Sequence, residues 1–214
     1  MNQEQKLISE IVLNSFWANN PVYIIGGGSS LRSFNFDSIH GQITLAVNDS
    51  FLFLPWVTSL FSVDTTWIKN RKESIERFSG DVCLAVPENF DMTQGPSNAM
   101  YVRRGRTEPG FSEDPTTIHI GGGNSGFGAI NYAILKGAKK IILLGFDFKV
   151  LTDWHWHGNY EWEGSFNSKM YSNWATRLNE QAEYLLNKGI EVLNASPSGA
   201  LKAFPTVRLG DLPL

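Results

Sequence analysis

The chain of 214 residues has a single cysteine, Cys83, so no disulfide can close within it. That cysteine sits in the apolar run Val82-Cys83-Leu84-Ala85-Val86 and reads as a core residue. No apolar run reaches the roughly 20 residues that a membrane-spanning helix needs, and the N-terminus lacks a signal-peptide pattern. A cytoplasmic protein with no integral membrane segment is the expectation. Positive charge is scarce too: 18 Lys and Arg against 21 Asp and Glu leave a net charge of −3. This balance excludes the basic face of a nucleic-acid binder. The densest basic group, Arg103-Arg104-Gly105-Arg106, lies in a Gly/Pro-rich stretch and reads as a solvated loop. No glycine turn runs into Gly-Lys-Ser/Thr, so there is no P-loop, and no Asp-x-Asp pair offers a sugar-nucleotide metal site. No metal ligand set is expected.

What the chain does have is a regular alternation of short apolar runs and helix-like stretches, with 42% hydrophobic residues to fill one sizeable core. Strands are predicted at 22–25, 43–47, 59–63, 82–86, 117–120, 140–144 and 190–193. Their continuous apolar character fits parallel strands buried on both faces. Helices are predicted at 2–20 (a lead-in helix), 65–78, 125–137 and 168–188, with Gly137 and Gly189 placed as C-caps. Tight alternation of this kind implies one α/β domain over 1–214, a doubly wound and mostly parallel sheet. The Pro- and Gly-rich stretch 88–116 breaks the rhythm and reads as a long loop excursion near the site. A second site-covering loop is expected at 149–168.

Two glycine-rich turns follow strands. Val22-Tyr23-Ile24-Ile25 leads into Gly26-Gly27-Gly28-Ser29-Ser30-Leu31, and Thr117-Ile118-His119-Ile120 leads into Gly121-Gly122-Gly123-Asn124-Ser125-Gly126. Glycines at the carboxyl end of a parallel strand let a phosphate or sugar approach the backbone, and the N–H groups of a following helix then face it. Two such turns in one domain point to a composite site. As a dinucleotide fingerprint the first turn fails, because Leu31 stands where the third glycine belongs, although Asp49 lies where a ribose-binding acid would sit. The second satisfies G-x-G-x-x-G but comes late in the chain. Asp64 and Asp147 end further strands and are candidate ligand contacts; helix capping and a turn are their plain structural roles.

Outside the glycines, His155-Trp156-His157-Gly158 is the sharpest chemical feature. A histidine titrates near neutrality and can take a proton from a sugar hydroxyl, so His157 and His155 are candidate bases. Aromatic residues crowd the same segment, and Trp154, Trp156 and Trp162 are candidates for an acceptor-binding surface.

The run Tyr23–Leu31 resembles the Gly-Asn-Gly-Pro-Ser-Leu opening of two related groups: the bacterial sialyltransferases of glycosyltransferase family 42, and the MptE-like 6-hydroxymethylpterin diphosphokinases. Gly122–Gly126 with Ala133–Asp147 is similar to their second shared block, and Val192–Pro197 with Ala200–Pro205 to their last strand and its cap. The likeness spans most of the chain and is strongest to short bacteriophage and prophage versions, which also carry His-Trp-His-Gly. It implies a Rossmann-like fold in which Gly26, Gly27, Gly28, Ser29 and Ser30 hold a phosphate. By the same likeness Asn48 and Asp64 meet ribose or base, Gly123, Asn124, Ser125 and Asp147 complete the nucleotide site, and His157 or His155 acts as base. Gly27 and Ser29 replace the family's Asn and Pro, and Phe148 replaces one of its tyrosines.

The resemblance therefore implies a nucleotide- or nucleotide-sugar-binding transferase with a CMP-sugar donor, performing metal-independent glycosyl transfer to a sugar hydroxyl. Mg²⁺-dependent diphosphate transfer from ATP to a pterin-like alcohol is the alternative, with Asp64 and Asp147 as metal ligands. A third reading is a non-catalytic phage accessory protein that keeps the fold. The expected partner is a small-molecule nucleotide or nucleotide-sugar, with a homo-oligomer possible and the host cytoplasm as location if phage-encoded.

Overall fold

The computed structural model describes residues 15–105, 110–149, 155–158 and 167–212. Eight strands form one sheet: β1 (Val22–Ile25), β2 (Ile43–Val47), β3 (Ser59–Ser62), β4 (Asp81–Val86), β5 (Met100–Arg104), β6 (Thr117–Ile118), β7 (Lys140–Leu144) and β8 (Glu191–Asn194). Their order across the sheet is β6-β5-β4-β3-β2-β1-β7-β8, and every neighbouring pair is parallel. The chain winds outward from β1 to β6, then crosses to the far side of β1 to lay down β7 and β8. This is the doubly wound, Rossmann-like α/β sheet, and its switch point falls between β1 and β7.

The strands read as continuous apolar runs because both faces of the sheet are covered. Along β1, Val22 and Ile24 enter one core and Tyr23 and Ile25 the other, as the two-residue side-chain period requires. Helices α1 (Ser15–Asn19), α4 (Ser125–Leu135), α5 (Ser168–Asn179) and α6 (Ala182–Asn187) contribute to the first core. Helices α2 (Ser50–Phe53) and α3 (Thr65–Glu76) contribute to the second. Helix α4 is apolar around most of its surface, with every residue from Phe127 to Ala133 buried. It starts at Asn124, whose side chain accepts the Phe127 N–H at 2.8 Å, and it ends at Gly137, whose φ is +90°.

Three expectations need adjustment. Strand β5 lies inside 88–116, so that stretch is not one loop. Its arginines and half-buried pattern hid it, because β5 has only the two-residue β6 between it and the sheet edge. The stretch 168–188 is two helices, interrupted at Glu180–Gln181. Of the predicted lead-in helix only Ser15–Asn19 is observed, and residues 2–14 lie outside the described residues. Cys83 is fully buried in the core, and that burial pushes its thiol pKa up. Among the described residues no helix is long and apolar enough to cross a membrane.

Candidate functional site

A cleft of about 330 Å³ opens at the switch point. Gly26, Gly27 and Gly28 line it from the end of β1, and Gly123, Asn124, Ser125 and Gly126 from the start of α4. The two glycine turns, far apart in sequence, thus face one space. Asn48 follows β2, Asp64 and Thr66 follow β3, and Asp147 follows β7; all four reach the same cleft, as does His155. Ser29 and Ser30 are not among its lining residues.

The two turns are glycine-rich for different reasons. At the first, Gly26 and Gly28 continue the β1–β7 ladder: the Gly26 N–H donates to Leu144 O at 2.8 Å and the Gly28 N–H to Gly145 O at 2.9 Å. Just beyond, the Asp147 carboxylate accepts the Ser30 N–H at 2.9 Å and the Ser30 hydroxyl at 2.6 Å. Three N–H groups that could have met a phosphate are therefore engaged by the exit of β7. The glycines here provide room for close packing. A β-carbon on Gly28 would stand 2.5 Å from Gly145 O and 2.6 Å from Asp147 Cγ, and one on Gly27 would run into His155 Nδ1. At the second turn Gly121, Gly122 and Gly123 have φ of +50°, +92° and +93°, the left-handed region where a side chain is strained. That bend delivers the N-terminus of α4 into the cleft, with its partial positive charge.

Among the described residues only two non-glycines have positive φ, Asn48 at +53° and Phe148 at +47°, and both line the cleft. Backbone strain that gathers at one place is a mark of a functional site. Asn48 is held there by its N–H, which donates to Phe61 O at 3.2 Å, and by Ser62, whose hydroxyl donates to Asn48 Oδ1 at 2.8 Å. Ser125 Oγ accepts the Val63 N–H at 3.3 Å, tying α4 to the end of β3. Asp64 caps α3 through Oδ1, which accepts the Thr66 and Trp67 N–H groups at 2.8 and 3.1 Å. Its capping role and its place in the cleft coexist.

Asp49, the candidate ribose acid of a dinucleotide site, is spent elsewhere. Its carboxylate is buried, forms a bidentate pair with Arg71 at 2.8 and 2.6 Å, and accepts the Trp67 indole N–H at 2.7 Å. It is absent from the cleft lining, which removes the acid from the nicotinamide-dinucleotide pattern.

The His155–His157 segment docks on the first glycine turn. Gly28 and His155 form an antiparallel bridge, the Trp156 N–H donates to Gly27 O at 2.9 Å, and the Trp156 indole donates to Gly26 O at 3.1 Å. Residues 155–158 make a turn closed by the Gly158 N–H, which donates to His155 O at 3.3 Å, and the turn brings the rings of His155 and His157 together. The imidazoles stack with centroids 5.1 Å apart, and the Phe53 ring stacks on His157 from beyond at 5.5 Å. Only His155 lines the cleft; His157 is the middle ring of the column. With the Nδ1 edge of His155 against Gly27, Nε2 is the nitrogen farther from the turn. Trp156 packs on Phe36 and Phe53 away from the lining, while Trp154 and Trp162 lie outside the described residues.

Burial, then the neighbouring His155, push the His157 pKa down from 6.5 to about 4. His157 is therefore neutral in the fold at a pH where an unfolded chain would protonate it. Between pH 6.5 and about 4 the unfolded state binds more protons, so stability falls as pH falls through that window. We expect His157→Phe, which keeps a ring in the column, to remove this slope. Denaturant titrations at pH 7.5 and pH 5 should show a loss of about 2 kcal/mol in the parent that the variant lacks. Equal losses in both would refute the assignment.

Thr66, Phe146 and Lys149 line the cleft without any sequence signal, and Tyr171 and Trp174 come from the aromatic-rich segment but were not among the candidate site residues. Tyr171 and Trp174 lie on α5, where their spacing of three reads simply as one helix face. Arg103 and Arg104 do not enter the cleft. Arg103 bonds Thr117 at 2.9 Å and Arg104 donates to Val63 O at 3.0 Å.

No family model and no curated protein matches the chain. Among solved structures, the chain is similar to a Maf glycosyltransferase from Magnetospirillum magneticum AMB-1, with a TM-score of 0.63 and 13% sequence identity. The alignment covers 91% of this chain and 34% of that protein, so the present chain spans about a third of its relative's length. The likeness establishes a shared fold.

Proposed function

We propose that the protein is a transferase that binds a nucleotide-sugar in the switch-point cleft and passes the sugar to a hydroxyl acceptor. One observation carries this reading: both glycine turns, the strained Asn48, Asp64, Ser125 and a single histidine all face one space. Asn48, Asp64 and Thr66 offer the amide, carboxylate and hydroxyl that suit ribose hydroxyls. The N-terminus of α4 suits the phosphate through the helix dipole and the N–H groups of Ser125 and Gly126, the Asn124 and Phe127 N–H groups being bonded to Ile120 O and Asn124 Oδ1. This moves the phosphate toward the second turn, since the Gly26, Gly28 and Ser30 amides are already bonded. The fold shared with a glycosyltransferase agrees with the reading.

In the transfer step the acceptor oxygen attacks the anomeric carbon. The bond from that carbon to the phosphate oxygen breaks, and the nucleotide leaves with the electron pair. His155 Nε2 takes the acceptor's proton, which sharpens the oxygen as a nucleophile. His157 acts behind it as a positioning residue, holding the imidazole plane by stacking.

A second reading is favoured by the presence of two carboxylates, Asp64 and Asp147, in the same cleft. Mg²⁺ is commonly held by one or two carboxylates together with substrate phosphates; among the described residues the cleft offers this pair and no group of three ligands, with both Asp147 oxygens also accepting from Ser30. When bound, the ion would neutralise charge on transferring phosphate oxygens, as diphosphate transfer from ATP to a small alcohol needs. Thermal shift with CMP, CDP, UDP, GDP and ATP, with and without Mg²⁺, separates the readings. A ligand at about 100 times its Kd adds about 2.7 kcal/mol, a rise in Tm of roughly 5–10 °C for a domain of this size. A shift with a pyrimidine or guanine nucleotide that is indifferent to Mg²⁺ supports sugar transfer. A shift confined to ATP with Mg²⁺ supports diphosphate transfer, and no shift with any nucleotide would sink both.

A further inference from the structure

The aromatic rings of the cleft lining gather on one side. The ends of β2 and β3 supply Val47 and the polar Asn48, Asp64 and Thr66, with no ring among them. The end of β7 and helix α5 supply Phe146, Phe148, Tyr171 and Trp174, with the charged Asp147 and Lys149 beside them. Strands β2 and β7 lie on opposite sides of β1, so a nucleotide laid across the switch point with its ribose toward β2 directs whatever lies beyond the phosphate toward β7.

The aromatic group is held in place. Phe148 adopts a left-handed backbone, and its ring meets Phe146 edge-on with centroids 6.1 Å apart. Phe146 in turn rests against Gly126, where a β-carbon would come within 2.7 Å of its ring. The Trp174 indole donates its N–H to Gly122 O at 3.1 Å, so the polar end of that ring is tied to the second glycine turn. Tyr171 packs edge-on to Trp174, 5.3 Å between centroids and 81° between planes. Rings fixed this way offer flat apolar surface at little entropic cost.

We propose that Phe148, Tyr171 and Trp174 form the subsite for the transferred sugar, taking the C–H face of a pyranose ring rather than the nucleobase. The proposal rests on the nucleotide-sugar reading above. It assigns the polar β2–β3 side to the nucleoside and the aromatic β7–α5 side to the sugar.

Calorimetric titration of paired probes tests it: CMP against a CMP-sugar, UDP against UDP-glucose, and GDP against GDP-mannose. Each pair is measured on the parent, Trp174→Ala, Trp174→Phe and Tyr171→Ala, with circular dichroism to confirm folding. For the pair that binds, Trp174→Ala and Tyr171→Ala should weaken the nucleotide-sugar by roughly tenfold and the bare nucleotide by less than about twofold. Trp174→Phe, which keeps a ring, should retain most of the affinity. Tyr171 lies on the half-exposed first turn of α5, so its variant keeps the test open if Trp174→Ala fails to fold. Equal weakening of both members of the pair makes the wall a nucleobase platform and overturns the proposal. Unchanged binding of both in the alanine variants overturns it as well. Failure of the parent to bind any nucleotide strikes instead at the functional reading on which it stands.

Discussion

Replacing His155 with alanine is expected to cut transfer by roughly 10²–10⁴-fold, the range lost when a positioned general base is removed. Nucleotide affinity should stay within a few-fold, because the residues that suit ribose and phosphate lie on other elements. The measurement is single-turnover transfer on the donor that the nucleotide screen identifies, with binding measured in parallel. His157→Phe serves as the comparison, since it keeps a ring between Phe53 and His155 without an ionisable nitrogen. If His155→Ala retains the parent rate and His157→Phe loses it, the roles of the two histidines are reversed. If both retain it, neither is the base. The structure favours His155 on position: it alone of the pair lines the cleft, and its Nδ1 edge is fixed against Gly27.

The second large effect concerns the first glycine turn. Gly28→Ala should destabilise the fold by about 3 kcal/mol, near the upper end for forcing a methyl into close-packed surroundings. For a domain of this size that is a fall in Tm of roughly 6–12 °C. The cost arises because the new β-carbon meets two neighbours that cannot both yield. Gly145 O at 2.5 Å is backbone within the β1–β7 ladder, and Asp147 Cγ at 2.6 Å is pinned by Ser30. Gly123→Ala is the contrasting case. Its β-carbon meets nothing within 4 Å, so only the left-handed backbone at φ +93° opposes it, at about 1–2 kcal/mol. Thermal or denaturant melts of the two variants decide the matter. A Gly28→Ala protein as stable as the parent would show that the β7 exit turn can move aside.

The physical reasons for each success and miss lie in particular residues. Buried parallel strands announce themselves as unbroken apolar runs, so β1, β2 and β7 match their predicted limits residue for residue. Strand β5 did not, because Arg103 and Arg104 on a half-buried strand look like loop charge. Glycine patterns pointed to two turns that the structure brings to one cleft, but could not say why each glycine was needed. In the first turn the reason is a neighbour about 120 residues later in the chain, Asp147, whose bonds to Ser30 span 117 positions. Likewise the sequence offered Asp49 as a ribose acid and could not reveal Arg71 and Trp67 waiting for it. Tyr171 and Trp174 stand out in the sequence only as part of an aromatic-rich segment, because a helical spacing carries no information about what the helix faces.

The docking of His155–His157 onto Gly26–Gly28 joins residues 130 positions apart at the Trp156 indole. A contact of such span forms late, after the intervening strands have closed the loop between its ends. A chain in which β1 had not yet paired with β2 and β7 would carry the glycine turns without the His155 imidazole beside them, so the candidate base would join those turns only as the fold closes.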